Sequence, residues 1–341
     1  MAQDVTRRVG APGRQTVLVT GPTGYIGRAM IAALLQEGYS VRAALRQNIN
    51  AGSGDVDKQV RPHVVGDIGP TTDWKAALNN VQAVVHLAAR VHVMDERAPD
   101  PLAEYRRVNT HGTLRLAAMA ALSGVRRFVY VSTVKVNGEE TAGAPFRESD
   151  PPRPCGPYAV SKWEAEQGLL RIAADTGMEI VIARPPLVYG PGVGGNFRAM
   201  LKWIQRGIPL PLASIRNQRS LVGLGNLVNL LLLCVFHPAA AGEIFLVADG
   251  EDLSTPELIQ RMALALDRKP RLFPFPVPLL SASARLLGMN NACDRLCGSL
   301  TVDSGKARRL LAWNPPSSVN EELRNTAEWY QRQTSLHPAM S

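Results

Sequence analysis

A short apolar segment followed by three closely spaced glycines constrains the fold of this chain more than any other feature. Residues 15–20 have the composition of a buried parallel strand, and a helical stretch at 28–37 follows the glycine-containing segment 21–27. Such glycines permit a tight turn, let backbone amides approach a pyrophosphate and allow the helix to pack on its strand. The segment therefore predicts a dinucleotide-binding turn, and a purely structural turn is the alternative. The expected cofactor contacts are Gly21, Thr23, Gly24, Tyr25, Ile26 and Gly27.

Four later segments predict further strands of an open parallel sheet, at residues 39–45, 63–66, 81–87 and 126–131, with Asp67 beyond the end of the third strand of the sheet. Ligands bind beyond the carboxyl ends of such strands, so Arg46, Asp67, Ile68, Ala88 and Ala89 are candidate cofactor contacts. No acidic residue follows the second strand, where one would bind a free ribose 2′-hydroxyl. The Arg46 guanidinium suits a 2′-phosphate, which favours NADPH over NADH. Stacking of Arg46 on adenine is the alternative, and it would leave both cofactors usable.

Tyr158 and Lys162 lie four residues apart, which places them on one face of a helix. An ammonium close to the phenol would favour the phenolate and make Tyr158 a proton donor near neutral pH. A surface tyrosine beside a solvated lysine is the alternative. Ser132 and Thr133 follow the fifth strand, so their hydroxyls should emerge at the same end of the sheet.

These segments together resemble the extended short-chain dehydrogenase/reductase family, the NAD-dependent epimerases and dehydratases. The likeness runs over about residues 16–330. It rests on the glycine turn and on segments 67–68, 86–89, 108–113, 132–138, 158–162 and 184–192. It implies an acid/base role for Tyr158, with Lys162 on the nicotinamide ribose and Thr133, beside Ser132, as the active hydroxyl. Asn109 would hold a helix near the lysine, and Pro185 is a further implied cofactor contact.

Departures from the family pattern help to distinguish which of the family's activities this chain has. Val134 and Lys135 follow Thr133 where dehydratases have acidic residues, which argues against dehydration. Asn137 replaces the usual tyrosine, Leu187 a usual asparagine, and Asn226 a usual aspartate. Segments 88–93, 161–166, 216–222 and 302–306 resemble a subgroup of bacterial O-antigen 4-keto reductases, the UDP-N-acetylquinovosamine dehydrogenases.

The subgroup resemblance implies NAD(P)H-dependent reduction of the C4 ketone of a UDP-2-acetamido-2,6-dideoxy-4-keto-hexose. The product would be UDP-N-acetylquinovosamine, a sugar nucleotide for O-antigen or surface polysaccharide. A UDP-hexose 4-epimerase acting on UDP-GlcNAc or UDP-glucose is the alternative, since it needs the same groups. A catalytically silent, dinucleotide-binding redox sensor is a remote alternative, because a sensor has no need of Tyr158, Lys162 and Thr133.

The expected architecture is an α/β Rossmann fold, a doubly wound parallel sheet, with a smaller, interleaved C-terminal substrate lobe. We expect tails at 1–15 and 333–341, a dinucleotide-binding domain at 16–186, a substrate segment at 187–215, a return to the Rossmann domain at 216–252, and a substrate lobe at 253–332. The Gly/Pro-rich loop at 190–196 suits a diphosphate. Asn196, Arg219 and Arg295 are candidate UDP contacts, although each could be a surface group.

Composition fits a cytoplasmic enzyme that acts on an anionic substrate. The net charge of +9 comes from 38 basic and 29 acidic residues, without the dense basic stripe and interleaved aromatics of a nucleic-acid-binding protein. The four cysteines have neither zinc-site spacing nor an evident disulfide framework, so we expect no metal. A homodimer is possible.

Two apolar segments need separate interpretation. Residues 227–236 are too few to span a bilayer and predict a buried helix, so we expect no integral membrane segment. Residues 272–287 are apolar but interrupted by Pro274, Pro276 and Pro278. This segment could cover the substrate or touch a membrane surface, and we favour the substrate cover.

Overall fold

The computed structural model describes residues 15–47, 60–91, 98–286 and 290–336. Seven parallel strands form its main sheet: β1 (Thr16–Thr20), β2 (Ser40–Leu45), β3 (Val60–Val64), β4 (Ala83–His86), β5 (Arg127–Val131), β6 (Glu179–Arg184) and β9 (Ile244–Leu246). Their spatial order is β3-β2-β1-β4-β5-β6-β9, so the strand order reverses between β1 and β4. A crevice opens at such a reversal, beyond the carboxyl ends of the strands. The predicted doubly wound Rossmann sheet is confirmed.

A second, three-stranded sheet has the order β10-β8-β7. It contains β7 (Leu187–Tyr189), β8 (Arg219–Gly223) and β10 (Asp252–Leu253). The α-helices are α1 (Tyr25–Gln36), α2 (Lys75–Leu78), α3 (Pro101–Tyr105), α4 (Thr113–Leu122), α5 (Gly156–Thr176), α6 (Gly195–Gln205), α7 (Leu224–Phe236), α8 (Thr255–Ala265), α9 (Val277–Leu286), α10 (Asn290–Cys297), α11 (Gly305–Leu311) and α12 (Val319–Leu336). A π-helix spans Arg106–Gly112, and 3₁₀ turns span Val134–Val136 and Pro238–Ala240.

Alternating side chains of the strands build one core on each face of the main sheet. Val17 and Val19 of β1 pack in the core under α1 and α7, whereas Leu18 packs in the core under α4 and α5. Because both faces of β1 are covered, this inner strand is continuously apolar rather than alternating. Trp313, just after α11, also packs in the first core, although its position falls within the predicted substrate lobe.

A third core belongs to the smaller lobe and joins α6, α8 and α12. Ser254 begins α8 with a capping box, in which its hydroxyl accepts from the Glu257 amide and the Glu257 carboxylate binds the Ser254 amide. The predicted domain bounds remain predictions. The predicted tails lie largely outside the described residues, and α12 continues to Leu336.

The third strand differs from its prediction. It spans Val60–Val64 rather than 63–66, and Asp67 lies three residues beyond its end. As an edge strand it tolerates Pro62, and its side chains are mostly exposed, which removes the hydrophobic pattern that marks the inner strands. Across the described residues, no helix is long and apolar enough to cross a membrane.

Candidate active site

The glycine turn after β1 has a geometry that only glycine permits at two positions. Gly21 adopts φ +65°, and a Cβ there would lie 3.0 Å from the Ala88 backbone nitrogen. A Cβ on Gly27 would lie 2.0 Å from the Gly21 carbonyl oxygen. The glycine segment therefore packs the N-terminus of α1 against β1 and directs the free amides of that N-terminus to the crevice. This backbone fits a dinucleotide pyrophosphate.

Thr20 and His86 fix the adjoining ends of β1 and β4. The Thr20 hydroxyl lies 2.7 Å from His86 Nδ1 and accepts hydrogen bonds from the amides of Leu87 and Ala88. His86 Nε2 lies 2.9 Å from the Thr113 hydroxyl, and burial lowers the pKa of His86 to about 3. The imidazole is therefore a neutral buried link. Through Thr20 it holds the backbone at Leu87 and Ala88, next to the predicted cofactor contact Ala89.

Lys162 is buried in the middle of the site. Its ammonium donates to the Val131 carbonyl at the end of β5, over 2.7 Å, and lies 4.0 Å from the centroid of the Tyr130 ring. Burial lowers the pKa of Lys162 to about 7, and the Glu166 carboxylate opposes that shift. A lysine with this pKa titrates near neutrality, as in many functional sites.

Tyr158 lies one turn before Lys162 on α5 and is half-buried, with its ring edge-on to Tyr105 at 6.2 Å between centroids. Burial raises the pKa of Tyr158 to about 12, with a further contribution from Tyr105. The phenol is therefore protonated at neutral pH, contrary to the lowering expected from Lys162. Burial therefore outweighs any effect of Lys162, whose ammonium is directed to the Val131 carbonyl and the Tyr130 ring.

Ser132 and Thr133 follow β5 directly, as predicted, and both are buried. Thr133 caps the 3₁₀ turn at Val134–Val136, where its hydroxyl accepts from the Lys135 amide. The Ser132 hydroxyl is buried and has no hydrogen-bond partner among the described residues. A buried hydroxyl costs free energy unless it is paired, so Ser132 is a candidate to bind a polar ligand atom.

Asn109 holds the strand end beyond β4 against α5. Its carbonyl accepts from the Arg90 amide, and its amide donates to the Arg90 carbonyl and to the Ser161 hydroxyl. Ser161 directly precedes Lys162 and was not singled out by the sequence analysis. These bonds give Asn109 a positioning role close to the one implied by the family resemblance.

A buried ion pair joins α5 to the end of β6. Arg184 at the end of β6 makes a two-point contact with Glu166, at 2.5 and 3.0 Å, and donates to Asn137 at 3.0 Å. Asn137 in turn donates to the Arg147 carbonyl. Arg184 and Glu166 are 3% and 0% exposed. Asn137, which replaces the family's usual tyrosine, is thus linked through Arg184 and Glu166 to α5, the helix that carries Lys162.

The predicted adenosine contacts lie together at the ends of β2 and β3. Arg46 forms an ion pair with Asp67 at 3.0 Å, and both side chains are about three-quarters exposed. Ile68 packs on Gly112, where a Cβ would lie 2.6 Å from its side chain. Pro185 is buried after β6, and its carbonyl accepts from the Val134 amide. An Arg46 that already pairs with Asp67 must exchange partners to bind a phosphate.

The candidate substrate contacts lie in the smaller lobe. Arg219 donates to the Gly298 carbonyl over 2.9 Å, and burial lowers its pKa, with Arg295 contributing to the decrease and Glu140 opposing it. Charges of both signs, from Glu140 and Arg295, therefore act on Arg219. Asn196 is exposed in the first turn of α6. Arg219, Arg295 and Asn196 stay predicted substrate contacts. Within the described ranges, no group of three histidine, cysteine, aspartate or glutamate residues is placed to hold a metal.

Comparisons with known proteins identify the family of the chain. The model of the NAD dependent epimerase/dehydratase family matches residues 17–248. The UDP-glucose 4-epimerase of Vibrio cholerae is 43% identical over 317 residues, which cover 92% of this chain and 95% of that protein. MoeE5, solved with UDP-glucose and NAD, is 26% identical, with a TM-score of 0.74 over 93% of this chain and 99% of its own. UDP-glucuronic acid 4-epimerase from Bacillus cereus, solved with NAD, is 21% identical, with a TM-score of 0.76 over 93% and 97%, and shows the fold. The chain therefore belongs to the NAD-dependent epimerase/dehydratase family.

Proposed function

We propose that this protein is an NAD-dependent UDP-hexose 4-epimerase. The observation that carries the proposal is the placement of Tyr158 one helical turn before Lys162, on a helix bonded to the end of β5. Ser132 and Thr133 emerge at that same strand end. This arrangement offers a proton-transfer group and two hydroxyls to a sugar oxygen, next to the glycine turn. The 43% identity to a UDP-glucose 4-epimerase supports this activity, the alternative of the sequence analysis, better than the 4-keto reductase.

The turn at Gly21, Gly24 and Gly27 would hold the pyrophosphate of the cofactor, and Lys162 its nicotinamide ribose. NAD, when bound, supplies reversible hydride transfer at C4 of the sugar. Tyr158 would take the proton from the C4 hydroxyl and return it, while Thr133 and Ser132 orient that oxygen. Proton removal needs the phenolate, so a cation beside Tyr158 must lower its pKa from about 12. Arg219 and Arg295 would bind the diphosphate of the substrate.

The test is to incubate the purified protein with NAD and either UDP-glucose or UDP-GlcNAc. We expect the 4-epimer of one of these sugars to accumulate to an equilibrium mixture, without net change in NADH absorbance. The variant Tyr158→Phe, shown by circular dichroism to be folded, should form none. If neither sugar is converted while NAD(P)H is consumed one for one with a UDP-4-keto sugar, the epimerase assignment is wrong.

A second candidate is the 4-keto reductase that yields UDP-N-acetylquinovosamine. The observation that favours it is the protonated state of Tyr158, since burial raises its pKa to about 12 and a phenol can donate directly to a developing alkoxide. Asn137 adds to this, because it occupies the position of the family's usual tyrosine and is held by Arg184 and the Arg147 backbone. The same assay with a UDP-4-keto-6-deoxy-HexNAc substrate distinguishes the two activities by the consumption of NAD(P)H.

A further inference from the structure

Helix α9 of the smaller lobe has an apolar stripe that no element of the described residues covers. Val277 and Leu280 pack against the core of that lobe, and the Ser281 hydroxyl lies 3.7 Å from Cys293 Sγ on α10. The remaining side carries four exposed residues at helical spacing: Leu279, Ala282, Ser283 and Leu286. Leu279 and Leu286 are 57% and 89% exposed, and Phe273 before the helix is 42% exposed. None of the residues of α9 is buried.

Basic residues flank this stripe in the sequence. Arg268, Lys269 and Arg271 precede α9, and Arg285 lies near its end, whereas residues 268–286 contain no aspartate or glutamate. All four basic side chains are exposed, and none forms an ion pair with any residue that the structure describes. The segment therefore combines exposed apolar side chains with an unneutralised positive charge.

We propose that this stripe, with Phe273 and the four basic residues, docks the protein on an anionic membrane surface. An amphipathic helix with leucines on one side and arginine or lysine beside them lies in the plane of the headgroups, and each basic residue adds attraction to anionic lipid. Ten residues are too few to span the bilayer, so the association is peripheral. The Ser283 hydroxyl already donates to the Leu280 carbonyl, so its transfer into the interface leaves no unpaired donor.

A second copy of the chain fits this surface less well. A two-fold contact would place the stripe on its own counterpart and bring the same four cations of each copy together. Like charges at an interface disfavour association, whereas anionic headgroups neutralise them. The small residues Ala282 and Ser283 between the leucines also leave little area for a packed protein interface.

The test is cosedimentation of the full chain with vesicles. We expect binding to phosphatidylglycerol and phosphatidylcholine in equal parts, little binding to phosphatidylcholine alone, and weaker binding at high salt. The double variant Leu279→Glu with Leu286→Glu should lower the vesicle-bound to free ratio by about tenfold or more, since it replaces apolar contact with charge. The triple variant Arg268→Gln, Lys269→Gln and Arg271→Gln should lose most of the salt dependence.

Leu122→Glu is the matched control, because Leu122 is 89% exposed at the end of α4, in the other lobe, and should bind vesicles like the unaltered protein. Circular dichroism establishes that each variant is folded. Absence of binding to the mixed vesicles would overturn the proposal, as would equal loss in the Leu122→Glu control. Conversion of a dimer to a monomer by the α9 variant in light scattering, without any vesicle binding by the unaltered protein, would assign the stripe to a second copy.

Discussion

Replacing Glu166 with glutamine should destabilise the protein and shift the titration of Lys162. The substitution keeps the size of the side chain but removes the negative charge that neutralises Arg184. Both residues of this pair are almost completely buried, at 0% and 3% exposure. An uncompensated charge in a protein interior is costly, because neither water nor a counter-ion reaches it.

The structure indicates the size of the effect. Removal of one partner from a buried ion pair costs about 3 to 5 kcal/mol, and we expect about 3 kcal/mol here because glutamine still accepts one hydrogen bond from Arg184. At roughly 2 °C per kcal/mol for a large domain, the melting temperature should fall by about 6 °C. The Glu166 carboxylate also opposes the lowering of the Lys162 pKa, so its loss should move that pKa below about 7.

Glu164→Gln is the matched control, since Glu164 lies on the same helix but its ion pair with Arg106 is partly exposed, with the two side chains 25% and 41% exposed. It should leave the melting temperature almost unchanged. The double variant Glu166→Leu with Arg184→Met should recover part of the stability, but not all, because Asn137 loses its Arg184 donor. In the pH profile of kcat/KM, the limb that reports Lys162 should move to lower pH in Glu166→Gln. Equal melting temperatures for Glu166→Gln and Glu164→Gln would refute the reasoning.

Three further predictions use other parts of the molecule. Tyr158→Phe should lower turnover by about a hundredfold or more while the NAD dissociation constant, measured by fluorescence, stays nearly constant, and near-normal turnover would remove Tyr158 from the mechanism. Arg46→Ala should weaken the binding of NADPH more than that of NADH, by about 1 to 3 kcal/mol. Asp67→Asn should strengthen NADPH binding, because it releases Arg46 from its ion pair. Equal losses of affinity for both cofactors in titrations of Arg46→Ala would instead indicate that Arg46 stacks on adenine. Burial and Asp249 raise the pKa of Glu322 to about 7, so the folded state binds this proton more tightly and the stability of the protein falls as the pH rises from about 4.5 to 7. The melting temperature of Glu322→Gln, relative to that of the unaltered protein, should therefore rise from pH 5 to pH 8. A difference in melting temperature that stays constant with pH would contradict this.

The sequence was sufficient for those parts of the fold and site that depend on neighbouring residues. The glycine turn, the strand before it and the helix after it lie within one short segment, and their geometry follows from the missing side chains at Gly21 and Gly27. The same is true of Tyr158 and Lys162, because a four-residue spacing fixes their common face on α5. The position of the Ser132 and Thr133 hydroxyls could also be predicted, because these residues directly follow the fifth strand.

Contacts between distant segments could not be predicted in this way. Glu166 and Arg184 are 18 residues apart, and Asn137 is 47 residues from Arg184. Nothing in the sequence pattern specifies that these three meet. The raised pKa of Tyr158 also depends on burial by the folded chain, whereas the four-residue spacing indicated only that a lysine lies nearby. Burial and long-range pairing therefore set the charge states within a site whose members the sequence identifies.

Asn226 illustrates how a departure from the family pattern can concern the fold rather than the substrate. Its amide donates to Asp249 and to the Ser317 carbonyl, each over 2.8 Å, and its carbonyl accepts from the Ser317 amide. Burial raises the pKa of the neighbouring Asp249, and Asp249 in turn raises that of Glu322. An aspartate at position 226 would add a third carboxyl to this buried cluster and could not donate to Asp249. Asparagine supplies both a donor and an acceptor, and so it joins the segment before α12 to the end of the main sheet.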